Sequence, residues 1–239
     1  FDMVLISEMD AAGERLAVDD DARVVVIQSA DPDFFIAHAD VTLIQNIGDT
    51  DPIDDPDSSF FHSMTERFRL MPKPTIGKID GVARGGGLEL LAAMDMRFCS
   101  IEKTVFAQPE ITVGIIPGGG GSSRWPKLIG YARAMELMLG GADIDATVAE
   151  KYGIVNRALP RSELDQFVTN LATRMASFPP HAAALIKQVG QTQGTLEEAL
   201  HAEHRAFMES ARHPSALSAM KTFMENGGQT REVELEGAF

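Results

Sequence analysis

Apolar positions along the first 30 residues follow two different periods. Met3, Ile6 and Met9 recur at helical spacing with acidic residues between them, which predicts a surface helix that ends near Ala17. The next apolar run, RVVVIQS at residues 23–29, is continuous and β-branched, a pattern typical of a strand buried on both faces of a mostly parallel sheet. A helix followed by such a strand indicates an α/β core.

The same periods predict elements further along the chain. FFIAHAD at 34–40 is expected as a loop whose Phe34 and Phe35 anchor the core, and the polar residues 48–59 as a second loop. The predicted elements that follow are a helix with an aromatic face at 60–71, a strand at 75–79, a short strand before Pro109 and a helix at 126–139. From Asp145 onward the apolar spacing is helical throughout. Two capping pairs are expected at helix starts there, Ser162 with Asp165 and Thr195 with Glu198.

Composition and charge narrow the functional classes. Of the 239 residues, 44% are hydrophobic and 23% are charged, which is ordinary for a globular protein, and no apolar run is long enough to span a membrane. The net charge of −14 argues against a nucleic-acid partner, because neutralising phosphates requires a basic face. Cys99 is the single cysteine, so no internal disulfide can form, which is compatible with a reducing compartment. We therefore expect a cytoplasmic protein.

Candidate chemistry is concentrated between Asp80 and Gly121, where two glycine runs and two glutamates occur. Gly85–Gly87 precede a helix-favouring run, so they are expected at a helix start, where backbone N–H groups lack intrahelical partners and the helix dipole is positive. Glu89 then falls in the first helical turn, and Glu110 follows a short strand. Two acids would therefore flank one site that is able to hold a negative oxygen.

Simpler interpretations of each residue remain open. The GGG run fits a tight turn or a close packing contact, Glu89 fits an ordinary first-turn acid, and Glu110 fits a solvated side chain. A nucleotide-phosphate cradle fits poorly, because neither glycine run leads into the Lys-Ser/Thr pair of a phosphate-binding loop. The six histidines and one cysteine have no spacing typical of a zinc site, so no metal is expected.

Four segments in a characteristic order carry a family resemblance: FFIAHAD (34–40), IDGVARGGGLELLAAMDMRF (79–98), FAQPEITVGIIPGGGGSSRWPKLIG (106–130) and AMELMLGGADIDATVAEKYGIVNRALP (134–160). With these segments the chain resembles the crotonase superfamily, the enoyl-CoA hydratase/isomerase family. The resemblance covers nearly the whole sequence. It implies an α/β fold with a crotonase-like ββα spiral core over residues 1–175 and a C-terminal helical oligomerisation segment over 176–239. In this family a β-hairpin precedes the first helix, so a hairpin is expected to be missing before Phe1.

The resemblance also implies roles for individual residues. The backbone N–H groups of Ala39 and Gly86 would form the oxyanion hole that holds the thioester oxygen of a CoA substrate. Glu89 and Glu110 would act on one water molecule, with Glu110 the expected proton donor to carbon. Further residues expected at the site are Ala37, His38, Asp40 and Gly85 for substrate binding, and Gly118, whose N–H would position the water. No cofactor is implied, since coenzyme A enters as part of the substrate.

Two departures from the family pattern concern substrate contacts. His38 stands where the family usually has glycine, and it is either a tolerated loop substitution or a donor to the thioester or to CoA. Basic residues that family members place near the first oxyanion loop and in the last helix are replaced here, so the contacts to the CoA phosphates are unassigned. Arg84, Lys73 and Lys221 are candidates for those contacts by charge alone.

The reaction implied by the resemblance is hydration of a trans-2-enoyl-CoA thioester to a 3-hydroxyacyl-CoA. One alternative is a 3,2-enoyl-CoA isomerase or another crotonase-type reaction, in which one carboxylate shuttles the proton. Another is a non-catalytic acyl-CoA-binding protein, which His38 and the missing basic residues would fit. The presence of both acids favours the hydratase. The C-terminal helices have more apolar surface than one small domain covers, and the family builds homotrimers, often paired into a dimer of trimers.

Overall fold

A computed structural model describes residues 1–47 and 59–236 of the chain. Contacts divide the chain into two units, which we call the core unit (Phe1–Met175) and the C-terminal unit (Ala176–Phe239). The loop predicted at 48–59 lies, apart from Ser59, outside the described residues.

The first of two sheets in the core unit is entirely parallel. Its strands, in spatial order, are β1 (Val25–Ile27), β3 (Thr75–Ile79), β5 (Met96–Ser100) and β8 (Arg157–Leu159). β3 is central and nearly all buried, as expected for a strand covered on both faces. The same expectation for β1 is wrong, because Val26 is 37% exposed. β1 lies at the edge of the sheet, where a strand has a neighbour on one side only.

The second sheet contains the strand order β2 (Phe34–Ile36), β4 (Val82–Arg84), β6 (Val105–Ala107) and β7 (Ile144–Asp145), with β7 antiparallel to β6. The prediction of a loop with two core phenylalanines at its start is wrong. These residues form β2, and successive side chains of a strand point to opposite faces, so Phe35 is buried while Phe34 is 43% exposed.

The helices of the core unit are α1 (Met3–Val18), α2 (Val41–Gln45), α3 (Phe60–Leu70), α4 (Gly86–Ala93), α5 (Gly121–Ile129), α6 (Tyr131–Gly140), α7 (Ala146–Tyr152) and α8 (Arg161–Ala176), the last of which ends at the unit boundary. The single helix predicted at 126–139 is wrong, because Gly130 interrupts it with φ of +81°. That backbone conformation is accessible to glycine and ends α5 before α6 begins.

Two further expectations for this unit are corrected. The region after Asp145 is not wholly helical, since β8 follows α7. The predicted cap at Ser162 is also wrong, because α8 already begins at Arg161. Asp165, its expected capping partner, forms an ion pair with Lys78 instead.

Helix α4 packs between the two sheets and all of its residues are buried. A Cβ atom at Gly77 of β3 would overlap Leu91 Cδ2, and one at Gly87 would lie 2.5 Å from the carbonyl oxygen of Ile36 in β2. Both glycines therefore allow an approach that no larger residue permits. This packing fixes the N-terminus of α4 beside the end of β2.

The C-terminal unit consists of α9 (Pro180–Gly190), α10 (Leu196–Arg212), α11 (Pro214–Glu225) and α12 (Arg231–Glu236) in its described part. The capping pair predicted for α10 is confirmed, with Thr195 and Glu198 each accepting from the other's backbone N–H. Large apolar side chains on these helices are exposed, including Ile186 (75%) and Phe207 (63%). Within the described residues, no helix combines the length and apolar character needed to cross a membrane.

Candidate active site

The N-terminus of α4 forms one side of the site. Gly85 caps this helix with φ of +51°, and its N–H donates to the carbonyl oxygen of Ala107 at 3.0 Å. This bond ties the end of β4 to β6 and turns the chain sharply into α4. Gly86 is therefore the first helical residue, and its N–H has no hydrogen-bond acceptor among the described residues.

The loop after β2 lies against this helix start. A Cβ atom at Gly85 would lie 3.8 Å from His38 Cβ. His38 Nδ1 is 2.7 Å from the carbonyl oxygen of Ala39, and in the described part of the chain the N–H of Ala39 meets no acceptor. Asp40 caps α2 by accepting from Thr42 N at 2.9 Å and Oγ1 at 2.8 Å, and these bonds hold the pKa of Asp40 below its usual value.

Glu89 is buried and anchored through one of its two oxygens. The N–H groups of Gly119 and Gly121 donate to Oε1 at 2.7 Å and 2.8 Å. The pKa of this carboxyl group is raised to about 7, mainly by burial and also by the charge of the nearby Glu110, while the two N–H donors and Arg124 oppose the rise. Near neutral pH the side chain is therefore present in both protonation states.

Glu110 lies beside Gly85 and opens a short 3-10 helix, Glu110–Val113. A Cβ atom at Gly85 would lie 3.0 Å from Glu110 Oε1. Oε2 is buried and accepts no hydrogen bond from any described residue. Burial raises the pKa of Glu110, and a hydrogen bond from Gln108 partly offsets this. The site thus contains two close carboxyl groups that are both easier to protonate than a solvated glutamate.

Gln108 holds the Glu110 side chain through a buried relay. Trp125 Nε1 donates to Gln108 Oε1 at 3.1 Å, and Gln108 Nε2 donates to Glu110 Oε1 at 2.9 Å. Because an indole can only donate, it fixes the orientation of the Gln108 amide and directs the NH₂ group to the carboxylate. Gln108 and Trp125 are fully buried, so the relay is sheltered from water.

Arg124 braces the glycine loop that binds Glu89. Its Nη1 donates to the carbonyl oxygen of Gly119 at 3.0 Å, and its Nη2 donates to Glu66 Oε1 in α3 at 2.6 Å. The guanidinium also covers Gly120, where φ is +109° and a Cβ atom would overlap Nη1. The loop is therefore clamped between α3 and its own following helix.

The structure brings most of the predicted site residues together. The Cβ position of Gly85 lies within 3.8 Å of both His38 and Glu110, and the charge of Glu110 affects the pKa of Glu89. Ala37 lies half-buried in the loop after β2. Gly118 is exposed, and a Cβ atom there would have Ile116 O, at 3.9 Å, as its only near neighbour in the described chain.

Comparisons with known proteins cover the part of the chain that contains these site residues. The sequence matches the profile of a family described as Enoyl-CoA hydratase/isomerase over residues 1–231. The chain belongs to the enoyl-CoA hydratase/isomerase family. A relative from Dictyostelium discoideum, named probable enoyl-CoA hydratase, mitochondrial, is 33% identical over 92% of this chain and 78% of its own. A probable enoyl-CoA hydratase from Rhizobium meliloti is 35% identical over 85% and 78%.

A solved member of the family supports the same assignment. The crystal structure of enoyl-CoA hydratase from Bacillus anthracis superposes with a TM-score of 0.84 at 29% identity, covering 94% of this chain and 86% of that one. The predicted crotonase fold is thereby confirmed, with its two small sheets and C-terminal helices.

The basic residues considered for CoA phosphates are all engaged in contacts within the chain. Arg84 makes a two-point contact with Asp143, at 2.7 Å and 2.5 Å, and Lys73 donates to backbone carbonyl groups at the end of α1. Lys221 lies 3.7 Å from Glu225. Because each of these side chains already contacts another group of the protein, none of the three stands out as a ligand for the CoA phosphates.

Several residues of this family site were missed by the sequence analysis. Gly119 and Gly121 hold Glu89, Gln108 with Trp125 holds Glu110, and Arg124 braces the glycine loop. The available signals were the position of Gln108 two residues before Glu110 and the positions of Gly119 and Gly121 within the second glycine run, with Arg124 and Trp125 shortly after it. Local spacing does not show which distant carboxylate such residues contact. Elsewhere in the described chain, no group of three His, Cys, Asp or Glu side chains is arranged to hold a metal ion.

Proposed function

We propose that the protein hydrates a trans-2-enoyl-CoA thioester to the 3-hydroxyacyl-CoA. The observation that carries the proposal is the pair of carboxyl groups of Glu89, which is buried, and Glu110, which is partly buried. Burial raises the pKa of both, and the charge of Glu110 acts on Glu89. Acids with raised pKa values can both donate and accept protons, as hydration of a double bond requires.

The thioester oxygen binds the N–H groups of Ala39 and Gly86 in this proposal. Both groups lack an acceptor among the described residues, and Gly86 adds the positive end of the α4 dipole. Attack at C3 places negative charge on the thioester oxygen, and a hydrogen-bond donor to such an oxygen contributes about 3 kcal/mol where a side-chain donor has been removed in another enzyme.

In the proposed hydration, each of the two glutamates carries out one of the two proton transfers. The water oxygen bonds to C3, one carboxylate takes the water proton, and the C2–C3 π electrons move toward the thioester. The other carboxyl group, which we assign to Glu110, then protonates C2, and the carbonyl is restored. Among the described residues Glu89 accepts hydrogen bonds through Oε1 only, so we assign Oε2 as the oxygen that exchanges protons. We further assign Gly118 to positioning the water, and Ala37, His38, Asp40 and Gly85 to substrate contacts.

Two other functions are tested by the same assays. A 3,2-enoyl-CoA isomerase would need only one proton-shuttling acid, and two buried acids favour hydration. A non-catalytic acyl-CoA-binding protein is suggested by His38, whose side chain lies where the family usually has none, and by the engaged state of Arg84, Lys73 and Lys221.

The decisive experiment measures loss of enone absorbance with crotonyl-CoA. We expect the unmodified protein to hydrate this substrate, and Glu110→Gln to lower kcat by about 10²-fold or more, because the amide can neither donate an acidic proton nor accept one. Glu163→Gln, the same change on the exposed surface of α8, serves as the matched control. Equal activity in Glu110→Gln and the control would refute the role of Glu110.

Turnover of a 3-enoyl-CoA without hydration would identify the isomerase, and CoA-ester binding without any turnover would identify the binding protein. We also propose that the chain forms homotrimers or a dimer of trimers, which sedimentation equilibrium measures directly. A cytoplasmic location stays a prediction, since the name of the Dictyostelium relative places that protein in mitochondria.

A further inference from the structure

The ring of Phe61 borders the proton-exchanging oxygen of Glu89. A Cβ atom at Gly119 would lie 2.7 Å from Glu89 Oε2 and would overlap Phe61 Cε1. The ring edge and the carboxylate oxygen therefore face each other across a glycine that has no side chain to separate them. No other large side chain comes as close to this point among the described residues.

The same ring also reaches the oxyanion side of the site. A Cβ atom at Gly86 would lie 3.5 Å from Phe61 Cζ and 3.3 Å from Phe1 Cδ2. Phe1 and Phe61 pack edge to face, with ring centroids 5.1 Å apart and an interplanar angle of 82°. The two rings thus form an aromatic wall that spans from the α4 N-terminus to the glycine loop.

The helix that carries Phe61 is held in place at several points. Ser59 caps α3 by accepting from the N–H of His62 at 3.2 Å. Arg67 makes a two-point contact with Asp10 of α1 at 2.6 Å and 3.1 Å. Glu66 accepts a hydrogen bond from Arg124 of α5. Displacing the ring by moving α3 would break these charge-assisted contacts.

We infer that Phe61 restricts the substrate to short acyl chains; the inference rests on the proposed hydratase function. The oxyanion hole fixes C1 at Gly86, and the acids must reach C2 and C3. The Phe61 ring lies within 3.5 Å of the Cβ positions of both Gly86 and Gly119, and the Gly119 position is also 2.7 Å from Glu89 Oε2. The ring therefore borders the space between the oxyanion side and Glu89, where the acyl chain beyond C3 would have to pass. One methylene that a rigid pocket does not accommodate changes specificity by about 10- to 200-fold.

The test compares kcat/KM for crotonyl-CoA and trans-2-decenoyl-CoA within each protein preparation. The ratio of the two values does not depend on the fraction of folded enzyme, so partial misfolding of a variant does not obscure it. We expect the unmodified protein to prefer crotonyl-CoA by about 100-fold or more, and Phe61→Ala to reduce this preference by about 10-fold or more.

Phe60→Ala is the matched control, because it removes an identical ring from the neighbouring position, where the side chain is 69% exposed. Its substrate ratio should equal that of the unmodified protein. Equal use of both substrates by the unmodified protein would overturn the inference, as would an unchanged ratio in Phe61→Ala or an equal shift in Phe60→Ala.

Binding of saturated thioesters separates this inference from the proposed reaction. Calorimetric titration with butyryl-CoA and decanoyl-CoA requires no turnover, and we expect Phe61→Ala to improve the relative affinity for decanoyl-CoA by about 10-fold. If the protein does not hydrate crotonyl-CoA but Phe61→Ala shows this affinity shift, the hydratase proposal is refuted and the role of Phe61 in selecting chain length stands. If the protein hydrates crotonyl-CoA but Phe61→Ala changes neither the relative affinities nor the relative rates for the two chain lengths, only the role of Phe61 is refuted.

Discussion

At the side chain of Glu89, burial and hydrogen bonding act in opposite directions. Removal from water favours the neutral acid, whereas the N–H groups of Gly119 and Gly121 favour the carboxylate. Burial is the larger effect, and the pKa rises to about 7. An acid whose pKa is raised by folding lowers the stability of the protein at pH values above the pKa that the acid has in the unfolded chain.

Replacing Glu89 with Gln should therefore stabilise the protein in alkaline solution. Below pH 4.5 the glutamate is protonated in both folded and unfolded chains, so the variant gains nothing. Between pH 4.5 and about 7 only the unfolded chain ionises, and the gain in unfolding free energy grows to about 3 kcal/mol. Gln retains an acceptor oxygen for the two glycine N–H groups.

Urea denaturation at pH 5 and pH 8.5 measures this difference. Glu163→Gln, at an exposed position, should show no such pH-dependent gain. A Glu89→Gln variant that is equally or less stable than the unmodified protein at pH 8.5 would contradict the burial argument.

Single residues also show what the sequence could reveal about the site. Glu89 could be selected as an acid beside a glycine-rich helix start, because that relation is local along the chain, whereas the role of Glu110, in a separate element, came from the family resemblance. The contact between Glu89 Oε1 and Gly119 joins positions 30 residues apart, and the contact between Trp125 and Gln108 joins positions 17 apart. Nothing in periodicity or composition specifies which of the glycines, amides or indoles meets which acid.

Between elements, Arg124 links the glycine loop at the start of α5 to helix α3. It is 15% exposed at its side chain, and its charge lowers the pKa of Glu89 through space. It also holds Gly119, whose N–H binds Glu89. The position of the loop and the acidity of the glutamate therefore depend on the same guanidinium.

Substituting Arg124 with Gln should raise the pKa of Glu89, because the opposing positive charge is lost. The limb of the pH profile of kcat/KM that reports Glu89 should move to higher pH, whichever protonation state is the active one. Arg124→Lys keeps the charge and should hold the limb near its original place, although a lysine cannot reproduce the two-sided contact. A purely structural role would lower activity in both variants without moving the limb.

Helices and strands that are long enough to repeat their hydrophobic spacing were predicted correctly. Helices α1, α3 and α10 and strand β3 were predicted because each is long enough to show its spacing or its cap. Strands β4, β7 and β8 have two or three residues each, too few for an alternation to be visible. The break at Gly130 was missed because the apolar spacing continues across it while the backbone turns.

For the whole molecule, the acidic balance opposes the proposed substrate. The net charge is −14, and the CoA phosphates are anionic, so their approach is unfavourable at long range. Added salt screens exposed charges over about 8–10 Å near physiological ionic strength. Screening should therefore help the substrate reach the site.

We expect the KM for crotonyl-CoA to fall as sodium chloride is raised from about 20 mM to 200 mM, with kcat little changed. Crotonyl-pantetheine, which carries the same acyl group without the phosphates, is the matched control and should show no comparable change. A KM for crotonyl-CoA that rises with salt would show that local cations outweigh the acidic surface.

One consequence of the contacts around Glu89 concerns the proposed catalytic cycle. Oε1 can accept from Gly119 and Gly121 both as a carboxylate oxygen and as the carbonyl oxygen of the neutral acid. A hydrogen ion can therefore arrive at and leave Oε2 while every bond that fixes the side chain stays intact. The protein is spared any rearrangement of heavy atoms at this residue from one turnover to the next.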